Sequence, residues 1–149
     1  MTYASNDLNA AIGPLSILKP LLAFKIVVTF FAWALQFLLL PVSVLEQGMG
    51  PVPEPIFQLR MLGWAYLALC VGYFAGLLEA RRGRMPWGVV AMALVSNGGS
   101  AALLGSHLLF GGGAELTGWP LYATWATFAV LLFIMTVLLI VALWGSRNA

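Results

Sequence analysis

The stretch LVSNGGSAALLGSH, Leu94 to His107, places three serines, an asparagine and the chain's single histidine inside an otherwise apolar run. Amide and hydroxyl groups can hold a polar ligand by hydrogen bonds, and an imidazole beside a carboxylate can carry a proton or bind a metal. At about 100° of helix per residue, Ser100 lies about 40° and His107 about 20° from Ser96. These three share one stripe, with Asn97 at its edge. The same spacing argument groups Thr29, Gln36 and Ser43 on one helical face, and Tyr66, Cys70 and Tyr73 on another. Gln36, Tyr66, Tyr73, Ser96, Asn97, Ser100 and His107 are therefore the candidate ligand-binding residues.

Chemistry beyond binding finds little support. His107 has Glu46, Arg60 and Glu115 near the same predicted membrane face, but one imidazole with scattered acids lacks metal-ligand spacing, so no metal is expected. Cys70 is the sole cysteine, which excludes an internal disulfide and a Cys-x-x-Cys motif. A Ser-His-Asp set within the membrane, a Walker motif and a Gly-x-Gly-x-x-Gly fingerprint are all missing. The sequence assigns no catalytic residue and no cofactor.

The elements that must position these groups follow from composition. Of the 149 residues, 62% are hydrophobic and 8% charged, about a third of the charge an ordinary soluble domain carries. Windows free of Asp, Glu, Lys and Arg, each close to the roughly 20 residues a span requires, predict four transmembrane helices. They fall at approximately 26–45, 61–78, 85–110 and 120–144. The fold class is all-α: an integral-membrane four-helix bundle forming one domain over residues 1–149. Of the seven basic residues, only Arg60 falls on the far side of this arrangement, which predicts that both termini are cytoplasmic.

On this parsing no ionisable residue lies in the core of a span, an argument against ion-coupled transport and proton relays. The net charge of +2 gives no indication of nucleic acid binding; Arg81, Arg82 and Arg84 are accounted for by topology and anionic lipid. The segment before residue 15 reads as a short tail. Pro51, Pro53 and Pro55 stiffen the first outer loop. Trp119, Tyr122, Trp125 and Trp144 are placed as interfacial aromatic belts.

Small residues supply a competing account of the polar stripe. Gly72 and Gly76 form a Gly-x-x-x-Gly pair, and Gly98, Ala102 and Ser106 recur every fourth residue, both patterns that bring membrane helices together. On this account the SNGGS segment is a seam between helices, and Asn97 faces inward.

Arg60-Met-Leu-Gly63 at the head of the second span, followed by Gly72 and Tyr73, resembles the pattern of DoxX-like small bacterial membrane proteins, as does Ser106-His107. The resemblance implies a four-helix membrane bundle of this length. Some relatives in that group are linked to quinone-coupled sulfur oxidation; no catalytic residue is carried over.

The expected protein is a small multi-pass component of a bacterial inner membrane, an accessory or apolar-ligand-binding subunit without independent catalysis. Its partners would be the lipid bilayer, a larger membrane protein or further copies of itself, and an apolar small molecule; no nucleic acid is expected. The alternative is a membrane-embedded oxidoreductase or isomerase acting on a hydrophobic substrate such as a quinone.

Overall fold

A computed structural model describes residues 13–49, 56–110 and 118–147. The tail before Gly13, the three-proline segment and Glu115 lie outside the described residues. Among the described residues the chain is helical, with no strand. Helix α1 (Pro14–Val28) runs into a π-helical segment, π1 (Thr29–Ala34), and then into α2 (Leu35–Leu39). A short helix α3 (Val42–Met49) follows, then α4 (Phe57–Arg81), α5 (Trp87–Leu109) and α6 (Trp119–Arg147). Four of the resulting rods are long and apolar enough to cross a membrane: Pro14–Leu39, Phe57–Arg81, Trp87–Leu109 and Leu121–Arg147.

The first span differs from its expected limits of 26–45. Lys25 does not bound the helix; it lies inside it, because Pro14 at the helix start and the apolar residues that follow wind continuously into Val28. The far end comes earlier than expected. Leu40 precedes Pro41 and takes an extended conformation with ψ of 141°, as the residue before a proline tends to do. Ser43 consequently lies on α3, outside the first span. Helix α4 also extends past its expected limits at both ends, since Arg60, Glu79 and Arg81 continue its winding.

By its internal contacts the chain divides into two compact units, Met1–Pro86 and Trp87–Ala149. In the first, α1, π1 and α2 pack antiparallel against α4. Buried positions on α4 include Leu59, Gly63, Cys70, Tyr73, Leu77 and Ala80, the three-and-four spacing of a continuous seam. On the first span Leu18, Leu22, Lys25 and Thr29 keep the same rhythm, but the next buried residues are Ala34 and Phe37. The step of five across π1 is what a π turn produces. It rotates Gln36 to an exposed position and turns Phe37 inward, so the expected Thr29, Gln36, Ser43 face does not form.

In the second unit α5 and α6 pack together. Val90, Ala93, Asn97, Ala101 and Gly105 are the buried residues of α5. Gly98 lies beside Met135, and Gly105 beside Phe128, so the two helices run antiparallel.

Candidate functional site

The first unit carries a layered arrangement of polar and aromatic side chains. At one end Arg60 reaches across from α4, donating from Nη1 to the carbonyl of Phe37 at 2.6 Å and from Nη2 to that of Leu40 at 2.7 Å. Those carbonyls close a helix and lack intrahelical donors, so the guanidinium caps the first span. One turn further along α4, Gly63 lets the first span approach: a Cβ there would stand 2.9 Å from Leu38 Cγ and 3.1 Å from Phe37 Cβ. Arg60 and Gly63, which begin and end the Arg-Met-Leu-Gly motif, thus perform one joint task of capping and close packing.

The next layer is aromatic. Tyr66 stacks on Trp33 at 5.9 Å between ring centres and lies 5.9 Å from Phe37. Phe37 also forms a buried cluster with Leu45 of α3 and Leu59 of α4.

Below it lies the arrangement that the charge-free windows missed. Lys25 is only 6% exposed, and its Nζ stands 4.8 Å from the centre of the Tyr73 ring, over the face. Thr29 and Tyr73 are buried, and the Cys70 thiol faces the Ile26 carbonyl at 3.8 Å. Depth can be judged along α4, where Arg60 and Arg81 are about 31 Å apart at about 1.5 Å of rise per residue. That distance matches the hydrocarbon thickness of about 30 Å. Tyr73 lies about 12 Å inside the Arg81 level on the same rise, and Lys25 falls near the middle of its 26-residue span. An ammonium at this depth overturns the expectation that the spans hold no ionisable residue. A signal was present in the sequence: Lys25 continues the spacing of Leu18, Leu22 and Thr29.

In the second unit the predicted stripe separates. Asn97 is buried, as expected, and its Nδ2 donates to the Ala93 carbonyl one turn back. Ser100 and His107 are exposed, and Ser96 is half-buried with its hydroxyl turned to Ala93. The buried line of α5 runs through the asparagine rather than through the serine and histidine stripe. Tyr66, Tyr73 and the buried Cys70 do form a common inward face on α4.

Of the small residues singled out in the sequence, Gly76 is buried and Gly72 half-buried. Gly98, Ala102 and Ser106 form one wall of an open groove of about 410 Å³, with Phe128, Leu132 and Met135 opposite. The Ser106 hydroxyl donates to the Leu103 carbonyl of its own helix at 2.7 Å, which leaves the groove apolar in character. The tightest approach is at Gly105, where a Cβ would meet Phe128 at 2.9 Å; at Gly98 the corresponding gap to Met135 is 3.4 Å. Among the described residues no three His, Cys, Asp or Glu side chains gather as a metal site would require.

Among the described residues, which form helices and no strand, four helices are long and apolar enough to cross a membrane, the mark of a multi-pass membrane protein. Against known protein families, curated proteins and solved structures, the chain finds no match.

Proposed function

We propose that this protein is a small accessory or apolar-ligand-binding subunit of a bacterial inner membrane, acting without independent catalysis. The observation that carries the reading is the α5–α6 groove. Its lining offers a small-residue wall, aromatic and aliphatic side chains, and one hydroxyl already engaged with its own helix. Such a surface suits an apolar chain or the side chains of another membrane helix. It offers no acid, base or metal ligand with which to react. The reading includes a single four-helix domain with both termini cytoplasmic, supported by the order of basic residues along the sequence, where Arg60 alone falls beside a segment expected on the outer side. The DoxX-like resemblance belongs to the same proposal.

Native mass spectrometry after mild extraction tests it. The wild-type chain is expected to leave the membrane with an apolar molecule, a larger membrane protein or a second copy, and Ala102→Phe, which fills the groove, to lose that companion. A bare monomer under the same extraction would overturn the reading.

A second reading, a membrane-embedded enzyme acting on a hydrophobic substrate such as a quinone, draws support from Lys25 over Tyr73. An ionisable side chain at mid-depth marks a functional site more often than a structural one. A co-purifying quinone lost on Lys25→Met but retained on Ala102→Phe would favour it.

A further inference from the structure

The two ends of α4 treat their arginines differently. At one end Arg60 is spent internally on the carbonyls of Phe37 and Leu40. At the other, the helix closes without side-chain help. Gly83, with φ of +77°, turns the chain, and the N–H groups of Arg82, Gly83 and Arg84 donate to the carbonyls of Leu78, Glu79 and Ala80. Backbone groups thus complete the cap, and Arg81, Arg82 and Arg84 are all exposed. Three guanidiniums within four residues stand against one exposed acid, Glu79. They are anchored at the edge of an apolar rod, about one hydrocarbon thickness from Arg60.

We infer that the Arg81, Arg82 and Arg84 turn is a binding surface for anionic phospholipid headgroups. Guanidinium forks match phosphate oxygens in pairs, and the turn holds them at the depth where headgroup phosphates lie. A lipid also brings its phosphate to this level with its chains already alongside α4, which a soluble phosphate does not. Basic residues at a membrane surface each favour anionic lipid by about 1 kcal/mol, or roughly five-fold.

The test uses the full chain in nanodiscs of phosphatidylcholine mixed with phosphatidylglycerol, with the lipids retained on gentle release counted by native mass spectrometry. Both faces of a nanodisc carry the same lipid, so the direction of insertion in the cell does not alter the reading. The wild type is expected to enrich phosphatidylglycerol over its bulk share, each of Arg81→Gln, Arg82→Gln and Arg84→Gln to reduce the enrichment several-fold, and the triple change to abolish it. The triple change to Lys, which keeps the charge but loses the fork, should retain only part of it. Equal enrichment in the wild type and the triple Gln variant would overturn the inference. So would loss of the lipid on adding millimolar inorganic phosphate at constant ionic strength, an outcome that would reassign the turn to a soluble phosphate ligand.

Discussion

The Lys25 ammonium stands 4.8 Å above the centre of the Tyr73 ring, near the middle of the first membrane span. A charge at that depth is costly unless the protein replaces water around it, and the negative face of an aromatic ring is one replacement. The pair also fixes the register of the first span against α4, because sliding either helix by a turn would remove the ring from the charge.

A double-mutant cycle of Lys25→Met and Tyr73→Leu, followed by unfolding in detergent, is therefore expected to give a coupling of about 1–2 kcal/mol. Tyr73→Leu should be the more damaging where Lys25 remains, since it strips the charge of its aromatic cover. Strictly additive losses would show that the ring only fills space.

Arg60 supplies two charge-assisted hydrogen bonds to the end of the first span. Arg60→Gln is expected to destabilise the protein by about 2–4 kcal/mol. Arg60→Lys should recover less than half of that, because an ammonium lacks the fork that reaches both carbonyls. Thermal unfolding of the purified variants would measure both, and an unchanged midpoint for Arg60→Gln would discount the cap.

Three glycines should rank in order when replaced by alanine. Gly63 meets the Phe37 Cβ, which has no rotamer to move it, so Gly63→Ala should cost the most, about 1–3 kcal/mol. Gly105→Ala presses on the far edge of the Phe128 ring and should cost less, with Phe128→Leu relieving it. Gly98→Ala makes an ordinary contact with Met135 and should be close to neutral. The reverse order in melting temperature would contradict the packing described.

The inward asparagine and the outward serine give a fourth contrast. Asn97→Leu removes a buried polar group and should lower stability by about 0.5–1 kcal/mol, the scale of hydrogen bonds inside membrane proteins. Ser100→Leu, at an exposed position, should leave the melting temperature unchanged. Equal effects would mean that the two residues do not face different surroundings.

Much of this architecture was legible from hydropathy, because a membrane helix must be apolar along about 20 residues wherever it lies. The four spans and the inward faces of Asn97 and Tyr73 follow from that constraint and from helical periodicity. Lys25 escaped it because a charge shielded by protein does not end a span, although a search for charge-free windows assumes that it does. The outward turn of Gln36, away from the Thr29 face, is hidden for a different reason: periodicity presumes uniform winding, and nothing in Thr29-Phe-Phe-Ala-Trp-Ala34 announces a π turn. The close approaches at Gly63 and Gly105 are not legible in the sequence, because they depend on which side chain stands opposite, and that is a property of the pairing rather than of the helix.

The π turn makes the first span tolerant of losing a residue at one place. Deleting one residue between Thr29 and Ala34 and closing the gap as ordinary helix would leave Lys25 and Phe37 both turned toward α4, because the deletion removes the extra residue that the turn absorbs. The same deletion between Leu18 and Lys25 would swing the two buried stretches apart by about 100°. Among natural variants of this chain, a length change within the span should therefore fall in the π segment, where it alters the winding and preserves both faces.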